Sequence, residues 1–312
     1  MNGNSAMNFS VSCPGWPGSW VNGWLAAVGA TALDPRIRLH WTDGATPVAV
    51  LSCYDKDPVS VLSESWPTFS ELQEMPVART WRDDEALGRA VSLELYRSRA
   101  FAARSHPHAW TLSSTLTDLC LNKKCEVEHA RFDPPVPRGY TLHDRLLRTH
   151  GKVEERKVHD LLMASLNGEA PRVGTNGLGF DISRIGSMSD FAKKFVDPIV
   201  EVLAFFALSI LPVRGSGRQD DGVPVQRGWV KWSASKEGRS NWTFLWPAWS
   251  QPLDHPGIDA LLDAWTRTYT GTSSDRWKKG WTTIGVNAGW RIVPYKALGQ
   301  NDTSRGFGSE RL

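Results

Sequence analysis

Two stretches of this sequence interleave cations with tryptophan, a pairing that suits nucleic acid. From Arg214 to Trp249 the basic residues are Arg214, Arg218, Arg227, Lys231, Lys236 and Arg239, and the tryptophans are Trp229, Trp232, Trp242, Trp246 and Trp249. Cationic side chains attract phosphate, and flat aromatic faces stack on bases. Arg276-Trp277-Lys278-Lys279-Gly280-Trp281 repeats the pattern on a smaller scale. The competing reading is a hairpin whose tryptophans fill the buried face of a sheet while its charges stay in water.

The first part of that stretch has the composition of a polar loop. Arg214, Arg218 and Arg227 sit among Gly215, Gly217, Asp220, Asp221 and Gly222. An arginine fork can read guanine O6 and N7 in a major groove, whereas a lysine adds only charge. The expectation is that Arg218 and Arg227 stay exposed and meet DNA, with Lys231 and Lys236 holding phosphates. A second candidate is Gly174-Thr175-Asn176-Gly177-Leu178-Gly179, a turn-forming run leading towards Arg184. Its glycines would let backbone N–H groups approach a phosphate closely. It carries no Walker lysine, so a phosphate there would belong to a nucleic-acid backbone.

Other chemistry has weaker signals. His106, His108, His143, His150 and His159 are the general acid–base candidates for a metal-independent nuclease, the alternative reading. His106-Pro107-His108 reads equally as a loop with two exposed histidines. No Gly-x-Ser-x-Gly, Lys-Thr-Gly or His-Glu-x-x-His occurs, and no acidic or histidine cluster has metal-ligand spacing. The four cysteines, Cys13, Cys53, Cys120 and Cys125, make neither a zinc pattern nor a disulfide framework. No cofactor is expected, and no catalytic residue is assigned.

Charge is unevenly distributed. Residues 214–312 hold 14 Lys/Arg against nine Asp/Glu, a net +5, so the overall +3 leaves −2 for the residues before them. A basic C-terminal third fits a polyanion-binding surface. The 16 tryptophans argue for a large aromatic core or for stacking platforms. The first residues have neither the basic start nor the apolar segment of a signal peptide, so the expectation is a reduced, cytoplasmic protein without membrane contact.

The elements that must position these residues centre on Val196 to Leu211, which is apolar except for Asp197, Glu201 and Ser209. Asp197 is a helix cap, Pro198 suits the first helical position, and Pro212 stops the run. At roughly 22 Å it is short of the ~20 apolar residues a membrane crossing needs, so it reads as a buried core helix. Before it, Cys13 to Gly18 reads as a turn, with a short helix from Ser19 carrying Trp20, Trp24, Leu25 and Val28. Arg36 to Tyr54 alternates as a hairpin around Asp43-Gly44. A helix is expected from Asp83 to about Tyr96, and a strand from Trp110 to Leu121. Thr141 caps a helix to His150, and a second amphipathic helix covers Val153 to Leu166. After the Trp-rich hairpin, Asp254 caps a helix to Tyr269, Trp290 to Pro294 is a short strand, and residues from Gly299 onward read as a mobile tail. Pro134-Pro135-Val136-Pro137 is the best internal boundary, dividing the chain into 1–133 and 134–312. The fold class expected is α+β, with β-hairpins and sheet packed around the buried helix and the helical pair.

Three stretches carry a family resemblance. They are Pro14-Gly15 with Trp24-Leu25-Ala26-Ala27-Val28-Gly29, then Gly179-Phe180-Asp181 with Asp197-Pro198, Leu203 to Leu208 and Pro212-Val213-Arg214, and last Leu245-Trp246-Pro247-Ala248-Trp249-Ser250. Together they resemble CRISPR-associated subunits of type I-G (formerly I-U) effector complexes, related in role to the Cascade large subunit. The resemblance implies a non-catalytic subunit of an RNA-guided complex in antiviral defence. Its implied partners are guide RNA, target DNA and other effector subunits in a hetero-oligomer.

Overall fold

The computed structural model describes residues 9–77, 90–129, 132, 141–175, 177–179, 195–214, 225–232, 241–268, 278, 280–295 and 306–312. In chain order the first elements are β1 (Phe9–Pro17), α1 (Val21–Leu33), β2 (Arg38–Trp41), β3 (Val48–Cys53), α2 (Pro58–Glu64) and α3 (Phe69–Gln73). Next come β4 (Ala90–Ser92), α4 (Leu93–Ala103), α5 (Trp110–Thr115), β5 (Leu116–Leu121), β6 (Glu126–His129), α6 (Leu142–His150), α7 (Val158–Asn167), β7 (Val173–Gly174) and β8 (Phe195–Val196). The last are α8 (Pro198–Phe206), β9 (Val213–Arg214), β10 (Val225–Gln226), β11 (Trp229–Trp232), β12 (Asn241–Trp249), α9 (His255–Thr268), β13 (Val286–Tyr295) and β14 (Gly306–Arg311). The fold is α+β.

These elements group into two compact units that are each discontinuous in sequence. One comprises Met1–Trp66, Lys152–Ala207 and Gly228–Leu312; the other comprises Pro67–Gly151 and Leu208–Arg227. The linker expectation cuts the chain once, at 133/134, and that proline-rich segment lies outside the described residues. Local composition marks stiff chain, but a compact unit is defined by which distant segments pack together.

The first unit holds the antiparallel sheet β1-β3-β2 and the sheet β11-β12-β13-β14. Leu39 and Leu253 exchange backbone hydrogen bonds of 2.8 and 3.0 Å, tying β2 to the chain just after β12. α1 is buried from Val21 through Thr31 and lies against α8, buried along its whole length. The approach is set by Gly29: a Cβ there would lie 1.8 Å from the carbonyl oxygen of Leu203. α8 starts as its sequence dictates, with Asp197 Oδ1 accepting from the N–H of Ile199 at 2.9 Å and Pro198 in the first turn. A 3-10 turn, Ala207–Ile210, follows it. The second unit packs the sheet β4-β6-β5 against α4 and α5, with Val91, Tyr96, Ala103, Leu112, Leu116 and Val127 as its core.

Several local expectations change. Cys13 to Pro17 is the end of strand β1, not a turn; it pairs with β3 across a bulge between Cys13 and Pro17. Prolines are tolerated there because β1 is an edge strand. Of the helix expected over 83–96, residues 83–89 lie outside the described residues; Ala90–Ser92 is strand β4, and a helix starts at Leu93, capped by Ser92 Oγ. Trp110 to Thr115 is helical, and only Leu116–Leu121 is extended. The expected mobile tail contains β14, whose backbone pairs with β13 from Tyr295↔Gly306 to Trp290↔Arg311. No helix among the described residues is long and apolar enough to cross a membrane.

Candidate nucleic-acid interface

The tryptophans divide first. Trp246 and Trp249 are fully buried. The Trp246 indole stacks on Phe244 at 5.9 Å and 19° and on Trp290 at 6.4 Å and 23°. Its Nε1–H donates to the carbonyl of Gly18 at 2.8 Å, and that of Trp249 donates to Leu39 at 2.9 Å. Trp24 reaches back the other way, donating to the carbonyl of Pro247 at 2.8 Å. Trp281 is buried and packs 6.1 Å from Trp265. A buried Trp finds a partner for its N–H when it can, and these partners are backbone carbonyls of the core. Trp246, Trp249 and Trp281 are therefore core residues, and the stacking role is withdrawn for them. Trp229 is half-buried, with its ring 5.8 Å from Phe244.

The cations divide as well. Arg184, Arg218, Lys236, Arg239, Arg276 and Lys279 lie outside the described residues. For Arg214 and Lys231 the backbone is described: Arg214 pairs with Val225 in β9–β10, and Lys231 pairs with Trp242 in β11–β12. Lys278 is half-buried. Arg227 is 8% exposed, which corrects the expectation that it is free to meet DNA. The polar loop composition around it signals exposure, but Arg227 follows β10 and is enclosed by tertiary packing that composition cannot reveal. The stretch read as one element, Arg214 to Trp249, is shared between the two units. Arg214 and Arg227 belong to one, and Lys231 and Lys278 to the other.

The Gly-rich run has a partner already. Gly177 is left-handed, with φ at +53°, and a Cβ there would lie 2.6 Å from Oε2 of Glu201. The next residue, Leu178, donates its N–H to that same carboxylate. Glu201 is fully buried on α8, so the loop closes over an internal carboxyl group. The glycine does allow the close approach that the sequence signals, but the oxygen it approaches is a side-chain carboxylate of this chain. That corrects the expectation of a nucleic-acid phosphate at this turn.

No family model, curated protein or solved structure matches the chain.

The histidines have structural tasks. His143 and His150, on α6, are both buried. Their Nε2 atoms lie 2.7 Å from the carbonyls of Leu72 and Pro67 respectively. A carbonyl only accepts, so each ring carries a proton on Nε2, and that nitrogen cannot act as a base. Each ring therefore offers only Nδ1 for general acid–base work. His106 Nδ1 accepts the N–H of His108 at 3.0 Å, so the pair folds back on itself and is half-buried, where an exposed loop was expected. Burial, and then neighbouring His106, hold His108 below the ordinary imidazole range. His159 is exposed beside Asp160. Cys13 and Cys53 are buried free thiols, and burial pushes Cys13 up to about 12. Among the described residues, no group of three or more His, Cys, Asp and Glu side chains could hold a metal ion.

Two arrangements had no clear sequence signal. A buried chain runs from Trp16 Nε1–H to Ser165 Oγ at 3.0 Å, and from Ser165 Oγ–H to Asp197 Oδ2 at 2.6 Å. Burial raises the Asp197 carboxyl above its usual range, although Ser165 and the N–H groups of Ile199 and Val200 pull the other way. The second is on α4, where Arg104 lies over Phe101 with its guanidinium carbon 3.9 Å from the ring centroid. Spacing of three residues on a helix makes that pair possible, but neither residue belongs to the Trp–cation pattern.

Proposed function

We propose that this chain is a non-catalytic nucleic-acid-binding subunit of a CRISPR RNA-guided surveillance complex of the Cascade type, contacting target DNA, guide RNA or both. The reading includes other effector subunits as partners in a hetero-oligomer, a cytoplasmic setting, and no cofactor. The observation that carries it is convergence. The stretches that bear the resemblance are far apart in sequence, and α1, α8 and the end of β12 meet in the core of the first unit, while Pro212, Val213 and Arg214 belong to the other unit. α1 meets α8 at Gly29, and Trp24 donates to Pro247. A shared fold requires these residues to meet.

Charge supports the same reading. Antiparallel pairing of Trp232 with Asn241 closes the connection whose sequence carries Lys236 and Arg239. Pairing of Arg214 with Val225 closes the one carrying Arg218. Burial of His143 and His150 weakens the competing nuclease.

The test is affinity of the purified chain for labelled duplex DNA and single-stranded RNA across a salt series. With roughly 3–6 phosphates neutralised, log affinity for duplex should fall against log salt with a slope of about −3 to −5. RNA recovered with the protein from its native host should carry repeat-derived ends. A flat salt dependence overturns nucleic-acid binding; salt-sensitive binding without repeat-derived RNA overturns only the CRISPR assignment.

A further inference from the structure

We propose that the outer face of α4 is a contact for single-stranded nucleic acid, with Phe101 and Arg104 forming a stack that receives a base; this rests on the nucleic-acid reading above. Phe101 is 64% exposed, more than the other large apolar side chains left at the surface among the described residues. A single exposed apolar residue needs no explanation by itself. What surrounds this one distinguishes it.

α4 buries Tyr96, Arg99 and Ala103. Its opposite stripe, at helical spacing, is Glu94, Arg97, Ser98, Phe101 and Arg104, all exposed. Arg104 lays its guanidinium on the Phe101 ring at 3.9 Å, and no carboxylate among the described residues pairs with it. One turn before Phe101, Arg97 is 63% exposed and gives its Nε–H to Asp118 at 2.9 Å, one of its five donors. That bond fixes the Arg97 side chain without exhausting it. Beside it, Leu93, Glu94, Arg97 and Ser98 border a shallow, open depression of the surface.

Each half of this arrangement points to the same class of ligand. An aromatic face and a guanidinium plane both stack on bases, and an arginine without a carboxylate partner attracts phosphate. A nucleotide offers a flat ring and an anion together. Bases in a duplex are already stacked on one another, so the platform fits a single strand or an unpaired end. Arg97 and Arg104 are seven residues apart, roughly 10 Å along the helix axis. They flank Phe101: Arg104 is the cation for a phosphate beside the stacked base, while Arg97 shares its charge with Asp118. Glu94 stands at the other end of the stripe, in the first turn, where negative charge complements the helix dipole.

The experiment compares wild type with Phe101→Ala, Arg104→Ala and Phe101→Trp. Affinities are measured for a labelled single-stranded RNA, the matching single-stranded DNA and the DNA duplex. Phe101→Ala should weaken single-strand binding about 5- to 100-fold. Arg104→Ala should also weaken it, Phe101→Trp should restore it, and duplex affinity should change less than twofold. Thermal melting of all three should match wild type, since both side chains are at the surface. If wild type binds no nucleic acid in a salt-dependent way, the underlying reading fails. If wild type binds single strands and both alanine variants bind equally well, this site fails alone. Equal losses on single strands and duplex would overturn base stacking. Unchanged nucleic-acid affinity with loss of a co-purifying protein would overturn the ligand class.

Discussion

Replacing Trp246 with phenylalanine separates a core tryptophan from a base-stacking one. Trp246 is fully buried, stacks between Phe244 and Trp290, and donates its indole N–H to Gly18. Phenylalanine keeps an aromatic ring in the stack but removes the donor and one ring's worth of volume. Leaving the Gly18 carbonyl without its partner costs about 1–3 kcal/mol. The unfilled space adds about 1 kcal/mol. The expected loss is therefore about 2–4 kcal/mol, a shift of roughly 1 M or more in urea midpoint at an ordinary m-value. Unfolding should be followed by far-UV circular dichroism, because tryptophan fluorescence changes with the substitution itself. Nucleic-acid affinity, measured where the variant is fully folded, should stay within twofold of wild type. Stability within about 0.5 kcal/mol of wild type together with a tenfold fall in affinity would refute the reasoning and return Trp246 to the binding surface.

Gly29→Ala should destabilise by at least about 2 kcal/mol, because the added carbon meets helix backbone at Leu203 and no flexible side chain can yield; a melting temperature within a degree of wild type would mean α1 and α8 are further apart. His143→Leu should cost about 1–3 kcal/mol by orphaning the Leu72 carbonyl, with hydrogen exchange rising first in α3; unchanged exchange there would count against the bond. Asp197→Asn tests a pH dependence. Burial raises the folded-state pKa of Asp197, so between the unfolded value and the raised one the folded chain holds a proton that the unfolded chain has lost. Stability from this group is present at low pH and declines as pH rises through that window. Asparagine keeps the acceptor for Ile199 and cannot titrate, so wild-type stability minus variant stability should fall with rising pH; a difference that rises would invert the assignment.

Helix starts were legible because they depend on neighbours in sequence. Asp197 before Pro198, Thr141 with Asp144 three residues on, and Asp254 accepting from Gly257 all cap the helices that their spacing announces. The hairpin around Asp43-Gly44 was equally local. β1 was not legible, because Pro14, Gly15 and Pro17 have the composition of a turn and only pairing with β3 makes them extended. β14 carries no alternating apolar pattern, with Gly306, Gly308 and Ser309 in six residues, and its partner strand holds it through backbone bonds. At the candidate site, residue type pointed to charge and stacking, but burial sorted the residues differently. Arg227 is buried and Trp246 is held by Gly18 and Trp290, distant in sequence, and nothing in their own neighbourhoods records that.

The long reach of those contacts bears on how the protein is made. Trp24 donates to a carbonyl that lies 223 residues further along the chain. At synthesis rates of about 5–20 residues per second, that carbonyl leaves the ribosome roughly 10–45 seconds after the indole that binds it. Through that interval the thirteen residues of α1, apolar on nearly every side, have emerged without the strand whose carbonyl Trp24 binds. Slower elongation lengthens that exposure, while lower temperature weakens the hydrophobic attraction that would drive aggregation.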